Sequence, residues 1–483
     1  MHGRAIKVFV HDVGFSLSEL LGCHQALAAQ QPRYLWWCNC ANNGTYGDPT
    51  TPWWNDLRGA VGAEIFLHEG LVQQRLTSFG VVHTSTPTEA DLFFVPSFAT
   101  LSFLLADVHG RGGRAGLCGG STHDERMLRM RERVMASAAF ELYPERHFVL
   151  GAAELAKAFF LTAVSRRGGV SFHLEPSDAL PTRMATNFTR RMALVNMESS
   201  WGLERFFRTI IVAPYLPVGA LLTPRVRTLV DAEALTSDVQ MDGELLEDHR
   251  TRTRRPLLLY FCGSAYGHAR QALLGALQAF LRSEPVAGGG PSDVSLEWRT
   301  GGRDHSPAAS PRTANGSVTT RPVVGAPYGY AEAMTRSVFC LAPSGHTCTT
   351  RRFYDAVAAG CVPVRVDCLE GKTALSSQSF PHQLNPSSFT VRFTARDIMR
   401  DPRAFFASLR ALADDRHWLR AMRRNVSAAR SLLGYAHPLP RRDSDGSGLG
   451  QDEPLNPMDA STYSFGGAIR GVLDELLYLQ DGK

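Results

Sequence analysis

Apolar and polar positions along the chain alternate between two spacings. Short runs in which most residues are apolar stop at a polar residue or a proline. Longer stretches place apolar residues three or four positions apart. The short runs Ile6–Val10, Asp91–Val95, His147–Leu150 and Thr209–Val212 predict buried strands, and Pro96 and Pro214 close the second and fourth. The spaced stretches Glu64–Phe79, Arg126–Phe140 and Glu154–Val164 predict helices; the first has Ile65, Leu67, Leu71, Val72, Leu76 and Phe79 as its apolar positions. Strands alternating with helices predict a parallel sheet covered by helices.

From Asp231 to Arg255 the chain turns polar and charged, and the alternation then restarts. Strands are predicted at Leu257–Phe261, Val294–Trp298, Val338–Leu341 and Val362–Val366. Helices are predicted at His268–Leu281, Tyr330–Arg336, Thr350–Ala359, Ala395–Ala413 and Arg416–Leu433. The 483 residues therefore divide into an amino-terminal domain over 1–230, a linker over 231–255 and a carboxy-terminal domain over 256–435. Residues 283–322, rich in Gly, Pro, Ser and Thr, read as a flexible insertion in the second domain. Residues 436–483 read as a further linker and a returning helix at Gly466–Leu479. The fold class is α/β, with two Rossmann-like domains facing a cleft. Open α/β sheets bind ligands beyond the carboxyl ends of their strands, so such a cleft is the expected ligand site.

Composition adds exclusions. With 44% hydrophobic and 20% charged residues, the chain is neither disordered, collagen-like nor a coiled coil. Fifty-one Lys and Arg against 46 Asp and Glu leave a net charge of +5, dispersed along the chain, which argues against a nucleic-acid binder. Lysine occurs only at Lys7, Lys157, Lys372 and Lys483, and every other basic residue is arginine. A guanidinium grips phosphate with a planar fork, but a bias towards arginine also fits background composition, so only particular positions carry weight. Nine cysteines without a Cys-x-x-Cys pair exclude the usual zinc-ribbon and thioredoxin patterns. Asn43, Asn187, Asn315 and Asn425 head Asn-x-Ser/Thr sequons, acceptors for glycans if the chain meets a secretory lumen. No apolar run approaches the roughly 20 residues of a membrane helix.

The most informative stretch is Ser337 to Val364, read as strand, polar loop, helix and strand. The first strand ends at Pro343, Gly345 allows a tight turn, Thr349 or Thr350 can cap the helix, and Gly360 can end it in a left-handed conformation. The loop thus joins a strand's carboxyl end to a helix's amino end, where N–H groups and the helix dipole attract anions. Arg351 and Arg352 open this helix against its dipole. Arg351 is four residues from Asp355 and can pair with it on the surface. That leaves Arg352 as a diphosphate ligand, with Asp355 accepting from ribose hydroxyls as acidic residues do in dinucleotide folds.

These residues resemble the nucleotide-sugar signature of the exostosin-like glycosyltransferases, glycosyltransferase family 47. The matching positions are Phe339-Cys340-Leu341, Pro343, Gly345, Arg352, Asp355-Ala356 and Gly360-Cys361-Val362-Pro363-Val364. Lys7–Val10 followed by His11-Asp12, Thr88–Pro96, Thr209–Pro214, Arg255–Gly263 with Arg270, and Tyr330, Met334 and Ser337 are similar to further family blocks. Gly151-Ala152-Ala153 stands where the family often has Ser-His-Asp, and the usual anchor segment upstream of the catalytic region is absent.

The resemblance implies a GT-B fold and direct, inverting transfer from a nucleoside diphosphate sugar, with a UDP-sugar favoured, to a glycan or glycoprotein acceptor. The donor site it implies comprises Gly263, Arg270, Ser344, Gly345, His346, Thr349, Thr350, Arg352 and Asp355. Arg352 and the helix amino end would stabilise the leaving diphosphate. A general base is also required, and Asp12, His11 and Glu154 lie at or beyond predicted strand ends. Asp443-Ser-Asp445 sits in a linker, so no obligatory metal or other cofactor is expected. Partners would be the donor and the acceptor, with no nucleic acid. A Golgi setting would require a membrane anchor missing from the amino terminus. Two other readings stay open: a catalytically inactive paralogue that binds nucleotide sugar or glycan, and a basic RNA-associated α/β protein.

Overall fold

A computed structural model describes residues 5–20, 22–23, 59–72, 80–102, 105, 123–151, 188–197, 207–215, 217, 221, 226, 229–230, 255–264, 268–283, 293–299, 329–344, 350–367, 379–434, 436–438, 463–465 and 467–480. The chain divides into two compact units: Met1–Leu216 with Leu439–Lys483, and Pro217–Pro438. The boundary falls ahead of the expected residue 230. Leu221 is wholly buried in the core of the second unit, and Val230 packs on Gly360 there. Arg255, expected in a linker, is buried in the same unit and donates to the carbonyls of Ser337 and Ala359.

Among the described residues the main sheet of the first unit has six strands: β1 (Ile6–Val10), β2 (Val81–His83), β3 (Leu92–Val95), β4 (His147–Gly151), β5 (Ala193–Asn196) and β6 (Thr209–Val212). They lie in the order β2-β1-β3-β4-β5-β6, and every neighbouring pair is parallel. Phe93, Phe94, Phe148 and Leu194 are fully buried, as the near-continuous apolar runs of a sheet covered on both faces require. Helices α1 (Gly59–Val72), α2 (His123–Met135) and α3 (Ala138–Leu142) belong to this unit. The expected Arg126–Phe140 helix breaks at Ser137, whose hydroxyl accepts from the Ala139 N–H and starts α3.

The second unit holds β7 (Leu257–Ser264), β8 (Val294–Arg299), β9 (Ser337–Pro343), β10 (Val362–Val366) and β11 (Val391–Phe393). Their order is β8-β7-β9-β10-β11, again parallel throughout. Part of the expected insertion is therefore a strand of the sheet, while 300–328 lie outside the described residues. Helices α4 (His268–Ser283), α5 (Tyr330–Thr335), α6 (Arg351–Ala358), α7 (Ala395–Arg400), α8 (Pro402–Asp414) and α9 (Arg416–Leu433) complete it. A single helix was expected over Ala395–Ala413. Pro402 divides it, because proline lacks an N–H and disfavours the helical region at the residue before it. Asp401 then caps α8 by accepting from Ala404 at 2.9 Å. The returning helix α10 (Gly467–Gln480) packs on α1 and β6 of the first unit, and Arg470 donates to the Gly80 carbonyl.

Both sheets share the doubly wound order 2-1-3-4-5, extended by β6 in the first. Two parallel α/β units of this kind make the GT-B-like architecture that the sequence predicts. In such sheets the chain changes direction between the first and third strands, and ligands bind outside the carboxyl ends at that switch point. In the first unit it lies between β1 and β3; in the second it lies between β7 and β9.

The first unit buries a carboxyl group that the sequence reading overlooked. Glu64, on α1, is 1% exposed; its Oε1 accepts from the Thr100 N–H at 3.4 Å, and its Oε2 has no partner among the described residues. Burial pushes its pKa up to about 8. The folded state thus keeps the proton that the unfolded chain releases above about pH 4.5, so stability is lost as pH rises from there towards 8. Glu64→Gln removes this cost. The variant's melting temperature should equal that of the natural protein near pH 4.5 and exceed it increasingly up to pH 8, at about 1.4 kcal/mol per pH unit of stability. Parallel melting curves across that range would exclude the assignment.

Candidate active site

The signature segment is organised by its two helix ends. Gly360 has φ +65°, its N–H bonds to the Val357 carbonyl, and the Cys361 N–H bonds to the Ala356 carbonyl, which closes α6 in a Schellman arrangement. A Cβ at Gly360 would lie 2.7 Å from Val230 Cγ1, so glycine is required by space as well as by φ. At the other end Thr350 is the N-cap residue with extended backbone, and its side chain makes no capping bond. A disulfide between Cys340 on β9 and Cys361 before β10 encloses the loop and α6. The core beneath is formed by Leu221, Leu257, Tyr260, Met334 and the small residues of α6.

Arg352 crosses from α6 to the carboxyl end of β7. Its Nε donates to the Cys262 carbonyl at 2.6 Å, and its Nη1 lies 3.5 Å from Asp355 Oδ2. Nη2 has no partner among the described residues. The side chain is 24% exposed. Burial opposes its charge, but Tyr330, Asp355, Cys262 and Tyr260 outweigh that and raise its pKa. Gly263 makes room for it: a Cβ there would stand 3.3 Å from the Arg352 Nε and 3.1 Å from Phe261.

Asp355 departs from expectation. Its carboxylate is 0% exposed and receives the Tyr330 hydroxyl at 2.6 Å, Arg351 Nε at 3.4 Å and Arg352 Nη1 at 3.5 Å, all at Oδ2. The anticipated surface pair with Arg351 exists, but its acidic partner is buried and shared with Arg352. In this arrangement the carboxylate orders protein donors.

Arg270, on α4, holds backbone: its Nε donates to the Ser344 carbonyl at 2.8 Å and its Nη2 to the Pro343 carbonyl at 2.7 Å. It secures the end of β9 where the loop departs. Burial first, and the neighbouring Arg352 second, bring its pKa down to about 10. Gly263, Arg270, Ser344, Arg352 and Asp355 therefore converge at the switch point between β7 and β9, with Thr350 at the start of α6. Gly345, His346 and Thr349 lie outside the described residues. The sequence reading left Tyr330 out of the site, although it had marked the residue as part of the approach to the signature.

In the first unit, His11 follows β1 and is buried. His147 Nδ1 donates to the Tyr143 carbonyl, so its Nε2 accepts from His11 Nε2 at 2.9 Å. Burial lowers the His11 pKa to about 4; burial, followed by His11 itself, lowers that of His147 to about 3. The pair is neutral at physiological pH. Asp12 is 81% exposed at the same switch point; its carboxylate accepts from the Gly14 N–H and pairs with Arg133. Glu154, Asn43, Asn187 and Asn315 lie outside the described residues. Asn425 lies on α9, and its Nδ2, the atom a glycan would need, donates to the Ser388 carbonyl at 2.7 Å.

A doubly wound sheet with arginines gathered at its switch point is an arrangement in which open α/β folds place a ligand site. Residues 228–408 match the family model described as Exostosin GT47 domain, the family whose signature Ser337–Val364 resembles. Among curated proteins none matches the chain. Among the described residues no helix is long and apolar enough to cross a membrane.

Proposed function

We propose that the protein is an inverting transferase that moves a sugar from a nucleoside diphosphate sugar, a UDP-sugar in the first instance, to a glycan or glycoprotein acceptor. The supporting observation is the charge at the β7–β9 switch point. There Arg351 and Arg352 bring two guanidinium groups to the one carboxylate of Asp355, Arg270 stands near Arg352, and Arg352 keeps an unused Nη2. That surplus, with the amino end of α6 beside it, suits a diphosphate.

In direct displacement, negative charge grows on the leaving diphosphate. Arg352 would meet it with donors already oriented by Cys262 and Tyr330, which limits reorganisation in the transition state. Arg270 would act from behind by holding Pro343 and Ser344. Because guanidinium groups and helix N–H groups supply this stabilisation, no divalent ion is required. An acceptor hydroxyl must lose its proton to a base, and Asp12 remains the candidate, as an exposed carboxylate at the first unit's own switch point. Exostosin-type transferases are generally Golgi-associated, and a disulfide between buried strands suits an oxidising lumen.

A thermal-shift panel of UDP, GDP, UDP-sugars and GDP-sugars, with and without EDTA, tests the reading. Uridine compounds should raise the melting temperature, by about 2.7 kcal/mol of stabilisation at a hundredfold excess over Kd, and EDTA should not reverse it. A panel in which no nucleotide sugar shifts melting would overturn the donor site. Sugar transfer to glycan acceptors by the same preparation separates an enzyme from an inactive binder.

A further inference from the structure

We propose that Tyr330 is a positioning residue for donor binding: its hydroxyl occupies Asp355 and its ring carries Arg352, which keeps the arginine fork available to a diphosphate. The proposal rests on the donor site described above and names a residue that neither the signature reading nor the family match assigns to it.

Tyr330 is the first residue of α5, with its ring 6.2 Å from that of Tyr260. Three donors meet at Asp355 Oδ2, and their lengths differ in kind. The phenol bond is 2.6 Å, whereas the two guanidinium contacts are 3.4 and 3.5 Å, long for charge-assisted hydrogen bonds. Arg352 therefore does not make a bidentate pair with Asp355. Its Cζ lies 5.3 Å from the centre of the Tyr330 ring, within cation–π range. One side chain thus performs two tasks. A neutral donor satisfies a buried carboxylate that would otherwise draw Arg352 into a closed ion pair, and an aromatic face supports the guanidinium without using its N–H groups. Burial and the adjacent Asp355 raise the phenol's pKa well above its usual value, so it remains a donor under assay conditions.

Without the hydroxyl, Asp355 loses its 2.6 Å hydrogen bond while both arginines remain beside it. Arg352 should then turn towards it and present fewer donors to phosphate. With the hydroxyl lost but the ring kept, the fold should persist, so the effect should fall on affinity.

The test is UDP titration calorimetry on the full chain for the natural protein, Tyr330→Phe, Asp355→Asn, Tyr330→Phe with Asp355→Asn, and Arg352→Ala, with melting temperatures in parallel. Tyr330→Phe is expected to weaken UDP binding about tenfold and to raise the donor KM by a similar factor, with kcat at saturating donor within about twofold. In the Asp355→Asn background, Tyr330→Phe should add less than about twofold, because the tyrosine acts through that carboxylate. If Arg352→Ala loses UDP while Tyr330→Phe binds it like the natural protein, the tyrosine role is wrong and the donor site stands. If Arg352→Ala itself binds UDP normally, the donor site is wrong. A Tyr330→Phe variant that melts lower but binds equally well marks a purely structural residue and overturns the proposal. So does a full additional loss in the Asp355→Asn background.

Discussion

Arg352→Ala is expected to reduce UDP affinity by a factor of roughly a hundred to a thousand, read by titration calorimetry on a folded protein. Hydrogen bonds to charged groups contribute about 1.5–3 kcal/mol each, and the open edge of this guanidinium can supply two of them to a diphosphate. The variant also leaves the buried Asp355 with one fewer cation. Its melting temperature should fall only moderately, because the Tyr330 hydroxyl and Arg351 still reach the carboxylate. Arg352→Lys separates charge from shape. A point charge in place of a planar fork cannot bond Cys262 and phosphate together, so it should recover only part of the loss. Alanine and lysine variants that bind UDP like the natural protein would remove Arg352 from the site.

Opening the Cys340–Cys361 disulfide is expected to cost the second unit about 3 kcal/mol, from the chain entropy released when a link spanning 21 residues is lost. For a unit of this size that corresponds to a fall of roughly 6–12 °C in melting temperature. The measurement is calorimetry of the natural protein with and without reductant, beside a Cys340→Ala, Cys361→Ala double variant. Alanine is chosen because both sites are buried and a serine hydroxyl would need a partner. The enclosed segment includes the loop and α6, so UDP binding should weaken together with stability. Equal melting of oxidised and reduced protein would show that the packing of β9 on β10 holds the segment unaided.

Hydrophobic spacing was enough to find the longer strands of both sheets, since a strand buried on both faces is written as an apolar run. It passed over β2 and β11, which have three residues each and are only partly buried, and β5, whose Ala-Leu-Val-Asn is too short to show a period. Helix α9 was read to the residue, whereas the break before Pro402 was missed although proline announces it. Tyr330 gave no sign of its role, because nothing in a tyrosine 25 residues before an aspartate indicates contact.

The order of residues along the chain carries local chemistry: where a strand meets a helix, where glycine must take positive φ, and which arginines open the signature. Strand order is a different kind of information. It places β7 beside β9 and so makes the Cys262 carbonyl a partner of Arg352, 90 residues away. Burial likewise makes Asp355 the meeting point of two arginines and a phenol. Strand order also brings Arg270 to the carbonyls at the end of β9, more than 70 residues away. These outcomes depend on which groups lose water together. Desolvation is a property of the folded neighbourhood, which residues distant in sequence assemble, and no local pattern records it.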